Sequence, residues 1–357
     1  WEVNLKALEA GGPYQLQITG KDNQISIKDI LIGDVWLCSG QSNMQWVVNN
    51  VTNAEVEKKN ANYSQIRTLN IPRRMELSPK DTISTTWLVC SPETVGRFSG
   101  VAYFFARKVY EETNIPIGII NSSWGGTIVE TWTSLEAANT LPQKRLDRYN
   151  KNEKLSPPTE YFTRTNKEAK RNDYPSLVYN AMIHPLLSFA IKGVVWYQGE
   201  NNVGNAEPYT DWLTCMISDW RNRWNSELPF YIIQLPNFDS TNKTPLWAEI
   251  RDAQRKVLTV PKTHLIVTSD LGDPHDLHPR NKQEVGMRVA LQVLHHEYGR
   301  PDIVSESPMF ERMEINGDKI IITFKNTGSG LEIRSRYGCL QGFTIAGEDK
   351  KFYWAQG

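Results

Sequence analysis

Apolar and polar positions fall into three textures along the chain. Residues 1 to 32 alternate as strands do, through Trp1-Glu2-Val3-Asn4-Leu5, Tyr14-Gln15-Leu16-Gln17-Ile18 and Ile25-Ser26-Ile27, with Gly11-Gly12-Pro13 and Gly20-Lys21-Asp22-Asn23 read as turns. From residue 33, short continuous apolar runs alternate with segments of helical spacing. The runs are Val35–Cys38, Ile117–Asn121, Gly193–Tyr197, Phe230–Gln234 and His264–Thr268; the helices are expected over 101–112, 177–190, 209–224, 246–258 and 281–298. Five near-continuously apolar strands separated by helices predict an α/β fold, a parallel sheet covered on both faces. Two polar connections, 49–99 and about 134–175, are long enough to form the rim of a site. After Pro301 the alternation returns (Met313-Glu314-Ile315, then Lys319 to Phe324). The expected organisation is therefore a partial β module over 1–32, a catalytic domain over 33–300 and a second partial β module over 301–357 that packs with the first.

Composition narrows the chemistry. Lysine plus arginine equals aspartate plus glutamate at 40 each, so bulk charge points to neither nucleic acid nor a membrane surface as partner. Cys38, Cys90, Cys215 and Cys339 lack the spacing of a zinc site, and neither a metal nor a cofactor is expected; free thiols or one disulfide fit them. Twelve Trp and fourteen Tyr agree with a carbohydrate ligand, since aromatic faces stack on sugar rings as well as filling cores. The chain starts at Trp1 without a signal peptide, which reads as a processed or trimmed piece.

Four polar clusters follow expected strand ends: Gly40-Gln41-Ser42-Asn43, Ser122 to Thr127, Gln198-Gly199-Glu200-Asn201, and Asp270 to Pro279. Parallel strands put their carboxyl ends on one edge, so the four should converge. Ser42 is the candidate nucleophile and His278 the base that would activate it. The N–H of Ser42, a backbone N–H from Gly125-Gly126 and the Asn201 amide would form an oxyanion hole; losing one such donor typically costs about 3 to 4 kcal/mol of transition-state stabilisation. Gln198, Glu200 and His275 are further possible site residues. From its own stretch alone, Ser42 reads as a helix cap before it reads as a nucleophile.

In this order GQSNM, WGGT, WYQGEN and DLHP resemble the blocks of SGNH hydrolases, and more narrowly the sialate O-acetylesterase group, which is similar in GDVWLCSGQSNM, in Tyr179 to Pro185, in Gln234 to Phe238 and in Ile250 to Gln254. The likeness runs from about residue 11 to Trp354. It implies a flavodoxin-like three-layer α/β/α fold with a five-stranded sheet and small β segments at both ends, and a cofactor-free serine esterase taking O-acetyl groups from sialic acids in a secreted, periplasmic or lysosomal-type compartment. It implies Ser42 as nucleophile, Gly126 and Asn201 as oxyanion donors and His278 as base. The pattern's acid, three residues before the histidine, is here His275. Asp276 is the first choice to orient His278; Asp273, Glu200 and a backbone carbonyl remain alternatives. Acetylxylan or another acetylated carbohydrate is the alternative substrate, and a carbohydrate-binding protein the non-enzymatic reading. Arg251 and Arg280 are the cations on offer to a substrate carboxylate; oligomeric state is not legible.

Overall fold

The computed structural model describes Lys6 and residues 8–158, 173–239, 246–333, 338–340 and 342–357; the strand expected over Trp1 to Leu5 lies outside them. The chain forms two compact units, Trp1–Ser305 and Glu306–Gly357.

The first unit opens with an antiparallel hairpin, β1 (Gly11–Thr19) and β2 (Gln24–Ile32), turned at Gly20 to Asn23. Gly11-Gly12-Pro13, expected as a turn, lies inside β1. A register shift between Gly11 and Tyr14 accommodates it, because a bulged pair tolerates a residue without an N–H.

The seven-stranded sheet comprises β3 (Asp34–Gly40), β4 (Tyr63–Asn70), β5 (Trp87–Cys90), β6 (Ile117–Ser123), β7 (Gly193–Tyr197), β8 (Phe230–Ile233) and β9 (Thr263–Ile266), in the order β5-β4-β6-β3-β7-β8-β9. All neighbours are parallel except the β5–β4 edge pair. The five strands expected from the sequence all form, and taken alone they lie in the flavodoxin order 2-1-3-4-5. The correction is two further strands within the 49–99 connection. β4 escapes an apolar-run criterion because, next to the edge, it buries only Ile66, Thr68 and Leu69.

Helices α3 (Gly100–Thr113), α4 (Leu177–Met182), α5 (Ala206–Trp224), α6 (Leu246–Lys256) and α7 (Lys282–Glu297) follow the expected periodicity, while α1 (Ser42–Gln45) is a single turn after β3 and α2 (Ala54–Lys59) lies within the 49–99 connection, where no helix was expected. α4 ends earlier than expected because His184-Pro185 follows it; proline disfavours helical geometry in the residue before it, and a 3₁₀ turn takes over at His184–Leu186. Trp36 of β3 meets Phe105 of α3 edge-on at 5.3 Å, on the face that α3 shares with α7. On the other face Trp196 of β7 and Phe230 of β8 meet Trp220 of α5 at 5.9 and 6.0 Å. Trp36, Trp132, Trp196, Trp212 and Trp220 are fully buried, so much of the aromatic content that suited a sugar ligand is core. All four cysteines are free. Among the described residues no helix is long and apolar enough to cross a membrane.

The second unit holds two antiparallel hairpins, β10 (Met309–Asn316) with β11 (Lys319–Lys325) and β12 (Thr344–Ala346) with β13 (Phe352–Trp354). The alternation expected after Pro301 lies in β10 and β11.

Candidate active site

β3 lies at the point where strand order reverses: the chain passes from it to β6 on one side and later to β7 on the other. Such a crevice is where open α/β sheets bind ligands. β3 ends at Gly40, whose φ is +133°, and a Cβ there would sit 2.1 Å from the Tyr197 carbonyl oxygen. Only glycine lets the two strands stay paired while the chain turns sharply into α1. Ser42 starts that one-turn helix, and its Oγ caps nothing in it. It lies instead 2.8 Å from His278 Nε2.

His278 sits in the irregular connection between β9 and α7, so its position depends on anchors. Its backbone N–H donates to Asp276 Oδ1 at 2.8 Å, and the carbonyl of the same peptide unit, that of Leu277, accepts from Asn43 Nδ2 at 3.0 Å. Its ring stacks on Trp46, with centroids 4.9 Å apart and planes 9° from parallel. Burial, then the Lys282 ammonium, hold its pKa below the ordinary histidine value, while Asp276 pulls the other way. A histidine that stays neutral at physiological pH is ready to accept a proton.

The other two strand ends bring donors. Gly125 lies against Ser42: the place a Cβ would occupy is 3.2 Å from Ser42 Cβ, and the Gly125 N–H donates to Gln45 Oε1 at 2.7 Å. Asn201 Nδ2 donates to the Gly126 carbonyl at 2.6 Å, which ties the β7 loop to the β6 loop and leaves a second amide hydrogen. Gln41 Oε1 accepts from the backbone N–H groups of Gly199 and Asn201 at 3.2 and 3.3 Å, fixing the β7 loop to the turn before Ser42.

The structure thus brings Ser42, His278, Gly126 and Asn201 to one edge. Asp276 reaches the backbone of His278. Asp273 makes the same kind of turn two residues upstream, accepting from the N–H of His275 at 2.8 Å, and His275 is exposed. Gln198 is buried beneath the loops, donating to the Thr127 carbonyl and Asn202 and accepting from Tyr209. Glu200 accepts from Asn43 Nδ2 at 2.5 Å, and burial raises its pKa. Sequence reasoning missed Trp46, Asn43 and the buried Lys282. For Trp46 and Asn43 the signal was adjacency to Ser42; for Lys282, at a helix start, there was none.

Of the two candidate cations, Arg280 is exposed. Arg251 is half-buried on α6, one turn before Gln254, which donates to the Gln198 carbonyl at 3.0 Å; burial lowers its pKa and no carboxylate pairs with it among the described residues.

A flavodoxin-order sheet with a Ser–His pair at its carboxyl edge defines the class of SGNH hydrolases. Residues 32–295 match the family described as "Carbohydrate esterase, sialic acid-specific acetylesterase", and the chain belongs to that family. The sialate O-acetylesterase of Homo sapiens is 32% identical over 355 residues, covering 89% of this chain and 64% of that protein. That of Pongo abelii is 33% identical with the same coverage, so this chain spans about 64% of the length of these curated relatives. The crystal structure of a carbohydrate acetylesterase from Xanthomonas citri is 36% identical with a TM-score of 0.88, covering 100% of this chain and 77% of that one.

Proposed function

We propose that the chain hydrolyses O-acetyl esters of sialic acids through a Ser–His acyl-enzyme mechanism. The 2.8 Å contact between Ser42 Oγ and His278 Nε2 carries the reading, in a chain of this family. Ser42 Oγ attacks the acetyl carbonyl carbon as His278 Nε2 takes its proton. The oxyanion is held by the N–H groups of Ser42 and Gly126 and the free amide hydrogen of Asn201. Collapse expels the sugar hydroxyl, protonated by His278, and water then repeats the sequence to release acetate. Asp276 acts through the backbone of His278. Arg251, a half-buried cation with no acid partner among the described residues, is the proposed seat of the sialate carboxylate. A secreted or lysosomal-type location belongs with this reading.

The second reading is an acetyl ester of a neutral carbohydrate such as xylan, since the Xanthomonas citri relative is a carbohydrate acetylesterase without restriction to sialic acids in its name. Acetate release from 9-O-acetylated sialic acid and from acetylated xylan, measured side by side, separates the two. The sialate should be cleaved, Ser42→Ala should abolish release, and Arg251→Gln should raise KM about tenfold on the sialate alone. Release from xylan only refutes the sialate reading, and an equal effect of Arg251→Gln on both substrates removes Arg251 as the seat of the carboxylate. Release from neither substrate by folded protein returns the chain to carbohydrate binding.

A further inference from the structure

Beneath the Ser–His pair lies a charged cluster that the reaction does not consume. Lys282, the first residue of α7, is fully buried, and its Nζ donates to Asn43 Oδ1 at 2.5 Å. At its other end Asn43 donates both amide hydrogens, to Glu200 Oε1 at 2.5 Å and to the Leu277 carbonyl at 3.0 Å. Glu200 Oε2 is buried without a hydrogen-bond partner, and the Lys282 ammonium lies 5.5 Å from the centre of the Tyr197 ring. The amide of Asn43 therefore stands between a cation and a carboxylate. Turning it over would set its NH₂ against the ammonium and its oxygen against the carboxylate, so only one orientation is satisfied.

That orientation aims one N–H at the peptide unit carrying His278. The unit is gripped at both ends, its carbonyl by Asn43 and its N–H by Asp276. Asn43 is also the neighbour of Ser42 in the chain, so nucleophile and base are referred to the same single turn of helix.

We propose that Asn43, Glu200 and Lys282 form a buried positioning unit that fixes the Leu277–His278 peptide, and with it the imidazole, against Ser42. The groups facing Lys282 are Asn43 from α1, Tyr197 from β7, Glu200 from the β7 loop, and Asp276 and His278 from the β9–α7 connection. Burial draws the Lys282 pKa down to about 7, with Glu200 and Asp276 opposing. The ammonium is therefore charged on the acid side of neutrality, where it opposes protonation of His278.

The proposal rests on the esterase reading for its rate effect, and the test includes a readout that needs no turnover. Removing one partner of a buried pair leaves an uncompensated charge, so the variant of choice is the charge-balanced Lys282→Met/Glu200→Gln. Its His278 ring is titrated by NMR, assigned with His278→Gln, and kcat and KM are measured on the acetylated sugar that the wild type cleaves. The pKa of His278 should rise by roughly half to one unit with the cation gone, and kcat should fall about tenfold or more with KM within about threefold. A folded double variant whose His278 titrates as in wild type, or whose kcat stays within twofold, overturns the proposal. Should that variant not fold, Asn43→Ser, which shortens the bridge without adding charge, should lose kcat to a like extent; undiminished kcat in it is equally fatal. If wild type cleaves no acetylated sugar, the esterase reading fails, while the titration of His278 still decides the electrostatic half.

Discussion

His278 meets Ser42 with one nitrogen and Trp46 with its ring face, yet the nearest acid in sequence holds its backbone instead of its ring. The two roles open to Asp276 predict different mutants. Asparagine still offers an oxygen to the His278 N–H, so Asp276→Asn should keep kcat/KM within several-fold, whereas Asp276→Ala should lose more. A loss near 10⁴-fold in Asp276→Asn would mean that the carboxylate orients the ring after all. The pH dependence follows from the depressed pKa of His278: its neutral form persists below the ordinary value, so kcat/KM should hold as pH falls to 6.5 and decline only below it. An acid limb at or above pH 6.5 contradicts that electrostatic account. At this scale Ser42, His278, Gly126 and Asn201 were legible because each follows a strand end, and strand ends show in an apolar pattern. Asn43 and Lys282 were not: their partners lie 157 to 239 residues away along the chain, and a lysine at a helix start looks like a solvent-facing charge.

Among elements, the central strands of the sheet were legible for a plain reason. β3, β6, β7 and β8 lie inside the sheet and β9 at one edge, each within an apolar run that precedes a polar cluster or a helix, whereas β4 mixes polar residues into its sequence and β5, apolar throughout, is only four residues long within a polar connection. The close pairing of β3 and β7 leads to a mutation test. Gly40→Ala must push the Tyr197 carbonyl away from a 2.1 Å approach and adopt an unfavourable φ, so it should cost about 2 kcal/mol or more, with loss of activity in what remains folded. Thermal unfolding of the variant checks this, and an unchanged Tm contradicts it. A second test concerns β9. His264 stacks on Tyr231 of β8 at 4.8 Å and faces His295 and His296 of α7; burial and those two rings lower its pKa to about 4. The unfolded chain takes up that proton near pH 6.5, the folded one only near 4, so stability from this site is full above 6.5 and is lost as pH falls toward 4. Tm should decline across that window in wild type and less steeply in His264→Phe. Equal slopes would remove His264 from the account.

At the scale of the molecule, Ser42, His278, Asn43, Glu200, Lys282, Gly126 and Asn201 all lie in the unit that ends at Ser305. A chain stopped after Ser305 should retain hydrolysis of the acetyl ester within a few-fold, measured as acetate release; abolition of activity in a folded truncation would show that Glu306–Gly357 supplies part of the site. The units themselves were only partly legible. The change of texture near residue 301 marks the second, but alternation shows that a segment is strand-like without saying which partner it pairs with. The site residues hang from strand ends and from a single doubly held peptide, whereas long connections join those strands. Under selection the two sets of residues are separable: a lineage can lengthen, shorten or recompose the connections while inheriting the arrangement at the strand ends intact.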